Sequence, residues 1–101
     1  MRKLNVIIKT PYEAVGHTAV IEDSTEALKE IVGGDIESVT VDDIVIITND
    51  IAKILCMPYN CRLFGIDFSG TIVLLGFEED RFADVPLTLN AFKMILRRDR
   101  I

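Results

Sequence analysis

Apolar and polar positions alternate near the start of the chain, where Leu4, Val6 and Ile8 interleave with Asn5, Ile7 and Lys9. A period of two places successive side chains on opposite faces, so this stretch is expected to be a strand, ended by Thr10, Pro11 and Tyr12. His17–Glu22, following Gly16, repeats the pattern with His17, Ala19 and Ile21 on one face. The two are expected to pair as a hairpin with a long loop. The period then changes: across Asp23–Val32, Ala27, Leu28, Ile31 and Val32 form one apolar stripe at helical spacing, while Glu26, Lys29 and Glu30 face water. Asp23 with Glu26 three residues later reads as an acidic capping box that starts the helix. Gly33-Gly34 reads as its stop, because glycine takes the left-handed cap conformation without a Cβ penalty.

Ile36–Val41 and Ile44–Thr48 flank the turn pair Asp42-Asp43 and predict a tight hairpin. Asn49-Asp50 forms the next turn, Ile51–Met57 reads as a further strand broken by Pro58, and Pro58–Gly65 as a loop. Thr71–Phe77 holds the unbroken run Ile72–Leu75, which predicts a central strand buried on both faces. Glu78, Glu79 and Asp80 turn the chain, and a second helix is expected over Thr88–Arg98 with Leu89, Phe92, Ile95 and Leu96 as its stripe. The order is β-β-α-β-β-β-β-α. Most connections are too short for parallel crossovers, which predicts an α+β fold: a single mainly antiparallel sheet of about six strands with two helices on one face. One domain, residues 1–101, accommodates all of it.

Composition narrows the classes of function. Half of the residues are apolar, too many for a disordered chain. The net charge of -5 is uneven, with ten acids in residues 11–50 against the single base Lys29. Such a surface repels phosphate, so no direct binding of duplex nucleic acid is expected. The basic cluster Arg97, Arg98 and Arg100 suits the negative end of a helix dipole. The longest uncharged runs, such as Phe68–Phe77, reach half of the roughly 20 residues that a membrane helix needs. No membrane association and no export signal are read, which gives a cytoplasmic expectation with Cys56 and Cys61 as reduced thiols.

Several short motifs together resemble a known family. They are Ala27-Leu28-Lys29-Glu30-Ile31-Val32-Gly33-Gly34 with Ile36-Glu37, then Asn49 with Lys53, then Met57-Pro58-Tyr59-Asn60-Cys61-Arg62, and Gly70-Thr71 before an apolar strand. This arrangement, from about Val6 to Leu87, is similar to the bacterial and phage family called domain of unknown function 3846. The chain departs from the family pattern at Asn49-Asp50-Ile51-Ala52-Lys53, where the family more usually has Asn, two acids, Gly and Lys. The resemblance implies a small cytoplasmic domain often encoded on phages, plasmids and integrated elements, and brings no catalytic residue with it.

The chemistry-bearing residues are few. Cys56, Cys61 and His17 cannot supply the four ligands of a structural zinc site, so neither metal nor cofactor is expected. Cys56 reads as a small core residue and Cys61 as a loop residue. His17 is the sole histidine, beside Gly16, and reads as a strand-end residue. Asp42-Asp43 and Glu78-Glu79-Asp80 read as solvated turns without the burial that tunes a catalytic carboxyl. The candidate binding set is the polar group Asn49, Lys53, Asn60, Arg62 and Asp67, whose donors and acceptors suit an anion or a peptide backbone. Within it, Arg62 either pairs with Asp67 or grips a ligand's carboxylate or phosphate. These features lead to a noncatalytic protein-interaction or accessory module of a phage, mobile element or host, with a protein as partner. Two alternatives stand beside it: an acidic DNA mimic that inhibits a nucleic-acid enzyme, and a small-ligand binder or enzyme using the polar group.

Overall fold

Two strands apolar on both faces set the middle of the molecule. In the computed structural model, which describes residues 2–100, the chain runs β1 (Lys3–Lys9), β2 (His17–Glu22), α1 (Thr25–Val32), β3 (Ile36–Val41), β4 (Ile44–Asn49), β5 (Tyr59–Leu63), β6 (Ile66–Ser69), β7 (Ile72–Glu78), β8 (Arg81–Ala83) and α2 (Leu89–Asp99). The main sheet has the order β2-β1-β7-β4-β3, with β8 paired to β7 beyond the end of β1, and every pairing is antiparallel. The α+β class, the β1–β2 and β3–β4 hairpins and the central place of β7 are as the sequence predicts. Among the described residues no helix is long and apolar enough to cross a membrane.

The placing of the helices differs from expectation. They lie on opposite faces of the sheet, not on one. Leu28 and Val32 of α1 pack with Leu4, Val6, Val45, Ile47, Val73 and Leu75 on one side. Phe92 of α2 packs on the other, with Ile7, Ile44, Ile46, Ile72 and Leu74, and is joined there by Cys61, Leu63 and Phe68. The cause is in β4 and β7, whose alternate residues are apolar in both directions, so each face of the sheet needs its own cover.

Local corrections follow from side-chain chemistry. The N-cap of α1 is Ser24, whose hydroxyl accepts the Ala27 N–H at 3.1 Å, while Asp23 instead pairs with Arg2 at 2.9 Å. Gly33, at φ 81°, closes the helix in the left-handed conformation as expected. Ile51–Met57 is not a strand: Leu55 N–H donates to Ile51 O and Met57 N–H to Ala52 O, winding the segment into consecutive turns. Pro58–Gly65 is not a loop but holds β5, which pairs with β6 as a separate two-stranded sheet over α2's side of the core. Phe64 and Gly65, both at positive φ, make the two-residue turn of that hairpin. Phe64 N–H donates to Asp99 at 2.7 Å and so ties the hairpin to the end of α2.

Candidate functional site

Asn49, the last residue of β4, is buried and faces α1. Its amide nitrogen donates to the Val32 carbonyl at 3.2 Å, and its amide oxygen accepts the Ile51 N–H at 3.0 Å. One side chain therefore closes the end of α1 and starts the turns that follow β4. Gly34 leaves room for it, since a Cβ there would stand 2.9 Å from the Asn49 nitrogen. Lys53 projects from those turns into solvent.

Asn60 is placed by a β-bulge. The β5–β6 register shifts between Tyr59 and Cys61, so Asn60 and Cys61 are both buried in succession while Tyr59 and Arg62 lie outward. The Asn60 nitrogen donates to the carbonyls of Lys9 and Gly70, each at 2.8 Å, and its oxygen accepts from the Lys9 ammonium at 2.8 Å. It thereby joins β1, β5 and the turn before β7.

Arg62 and Asp67 face each other across the hairpin as a bidentate pair, with Nε and Nη2 donating to the two carboxylate oxygens at 3.0 Å each. Tyr59 donates its hydroxyl to the same carboxylate at 2.9 Å. The Arg62 hydrogen bond and then that of Tyr59 hold Asp67 below the usual carboxylate range, and the Asp67 partner raises Arg62 in turn. Of the two roles open to Arg62 in the sequence, internal pairing is the one seen. The pair is more than a third exposed on both sides, where ion pairs contribute little. Arg62→Ala is therefore expected to lower the thermal midpoint by no more than about 5 °C in a circular-dichroism melt.

The five residues do not converge on one point. Asn49, Lys53 and Asp67 line a cleft of about 240 Å³ between β3, the turns after β4, and β6. Asn60 and Arg62 line a second cavity, of about 440 Å³, on the β5 side, together with Lys9, Tyr59, Cys61 and Arg100. Lys9 was hidden in the sequence as the polar last residue of a strand, and its only signal is a charge at an inward position of β1. The cysteines exchange roles relative to expectation: Cys56 is exposed, whereas Cys61 is buried, which pushes its thiol up to about 11. Both are free thiols. His17 shares a 2.8 Å hydrogen bond with Glu13.

The motifs that carried the family resemblance are now explained by contacts. Val32 and Gly34, on either side of the Gly33 cap, meet Asn49, and Asn60 meets Gly70, so two buried asparagines clamp the points where the chain changes direction. A family model described as Domain of unknown function (DUF3846) matches residues 1–96. The chain belongs to that family. No curated protein and no solved structure matched this DUF3846 chain. Ala52 is buried within the turns after β4 of this DUF3846 domain, so a small side chain is accommodated there.

Proposed function

We propose that the chain is a noncatalytic protein-binding domain that takes an extended segment of a partner along the outer edge of β3, with an apolar side chain seated in the neighbouring cleft. The observation that carries this reading is the exposed ridge Ile51, Ile54 and Leu55 beside that cleft, with Ile54 79% exposed. Large aliphatic side chains clustered in water are a common mark of an interaction surface. β3 ends the sheet on this side, so its outer backbone groups are open to pairing with an added strand.

Charge says what kind of segment fits. Glu37 and Asp50 stand at the cleft and hold no ion pair among the described residues, which favours Lys or Arg beside the apolar anchor. DNA mimicry is less well supported. Glu13, Glu22, Asp23 and Asp35 each have a basic partner within 4.0 Å, so these four carboxylates do not stand free as phosphate mimics would. An accessory role in a phage, mobile element or host is compatible with a binding domain of this size.

A displayed library of random peptides tests the reading. The protein is expected to enrich peptides with a large apolar residue flanked by Lys or Arg. The double variant Ile54→Asp, Leu55→Asp should bind them at least about tenfold more weakly with an unchanged far-ultraviolet spectrum. A selection without any enriched motif, or equal binding by the variant, contradicts it.

A further inference from the structure

Lys9 is a buried cation without an anionic partner among the described residues. It is 3% exposed, and its ammonium donates to the Asn60 amide oxygen at 2.8 Å and to the Thr10 carbonyl at 3.4 Å, both neutral. No carboxylate of the described residues stands within the 4.0 Å of an ion pair. Glu13, which lines the same cavity, is committed elsewhere: one oxygen accepts the Thr10 N–H at 2.9 Å and the other meets His17 at 2.8 Å. Cys61 does not supply the charge either, since burial keeps its thiol protonated at neutral pH despite the nearby lysine. An ammonium withdrawn from water is unfavourable unless a counter-charge or a full set of acceptors replaces the lost hydration. Lysine has three donors, and Lys9 has two neutral acceptors, one of them distant.

The cavity beside it is built for an anion. Arg62 and Arg100 stand in its wall with Lys9; Arg62 already holds Asp67, and the one carboxylate in the wall, Glu13, is engaged by Thr10 and His17. Asp67 holds the Arg62 guanidinium through Nε and Nη2, which fixes its plane and leaves Nη1 for another acceptor. Pro11, Ala14 and Leu96 add an apolar part to its lining.

We propose that this cavity binds a small phosphate-bearing molecule, its phosphate countering Lys9 beside Arg62 and Arg100, its organic part lying on Pro11, Ala14 and Leu96. Lys9 and Arg100, which hold no ion pair among the described residues, with Nη1 of Arg62 beside them, favour a dianion over a single carboxylate, and a half-apolar wall favours a phosphate ester over free phosphate. The site borders β5, whereas the cleft of the protein-binding reading borders β6, so neither proposal depends on the other.

Isothermal titration calorimetry at fixed ionic strength, with phenyl phosphate, inorganic phosphate and benzoate as probes, tests the inference. Phenyl phosphate is expected to bind saturably below about 10 mM, more tightly than inorganic phosphate and than benzoate. Lys9→Met should weaken phenyl phosphate at least about tenfold while the unliganded variant keeps its far-ultraviolet spectrum and a cooperative melt, because it removes the charge that the phosphate would counter. Equal binding of the two phosphates would keep the anion site and assign it to free phosphate. Benzoate binding as tightly as phenyl phosphate would overturn the phosphate assignment. Absence of saturable binding to either phosphate, or full binding by Lys9→Met, would overturn the site. Should Lys9→Met not fold, Arg100→Ala at the end of α2 gives the same readout, and unchanged phenyl phosphate binding by it would reject the proposal.

Discussion

Replacing Phe92 by alanine is expected to destabilise the protein by about 3–5 kcal/mol in urea unfolding. The ring is fully buried and is the anchor of α2. It packs in the cluster that holds Ile7, Ile46, Ile72 and Leu74 from the sheet and Cys61, Leu63 and Phe68 from the β5–β6 hairpin. Its removal leaves a cavity where three layers meet, and neither sheet nor hairpin can collapse into the space without losing the register that holds the other. Domains of this size are stable by about 5–15 kcal/mol, so the variant would lose a large share of the total. A loss below about 1 kcal/mol would show that α2 is not docked on the sheet.

The second large effect is expected at Asn60. Asn60→Ala removes three hydrogen bonds at 2.8 Å and leaves the carbonyls of Lys9 and Gly70 and the Lys9 ammonium short of partners. Such a deletion should destabilise the protein by about 3 kcal/mol or more, because orphaned buried groups cost their full desolvation. Part of that cost belongs to the ammonium alone. In a Lys9→Met background the same substitution should therefore cost less by about 1 kcal/mol or more, and a double-mutant cycle in urea measures the difference. Strictly additive effects would show that the Lys9–Asn60 hydrogen bond carries no energy.

What the sequence disclosed and what it concealed divide along physical lines. β4 and β7 were legible because their apolar runs demand burial on both faces, and the β3–β4 turn because Asp42-Asp43 tolerates the backbone it needs, Asp42 having φ 55°. The same double-sided burial implied cover on both faces, yet the helical stripes alone do not say which face each helix takes. β5 was concealed by its bulge: Asn60 and Cys61 are buried in succession, which breaks the period of two. Its turn was concealed as well, since Phe64 with Gly65 lacks the Asn-Gly or Asp-Gly signature of a tight hairpin. Ile51–Met57 gave the opposite error, because its apolar content suggested a strand while Ile54 and Leu55 are in fact exposed on turns.

The candidate site was legible to the same degree. All five polar residues were expected near one another; Asn49, Lys53 and Asp67 line one cleft. Asn60 and Arg62 line the second cavity, because β5 and its bulge turn Asn60 toward β1, while Arg62 reaches across the hairpin to Asp67. The pairing of Arg62 with Asp67 was one of the two roles read from the sequence, and the β5–β6 hairpin is what sets the two side chains opposite each other.

The protein-binding reading is tested most directly by mapping a selected peptide onto the chain with amide chemical shifts. Titration of the labelled protein is expected to perturb Glu37 and Val39 on β3, Ile51–Leu55 on the turns and Ile66–Ser69 on β6, while β2 at the far edge of the sheet stays unchanged. Perturbation centred on β2 or on α1, with Ile54 and Val39 unmoved, would contradict the account.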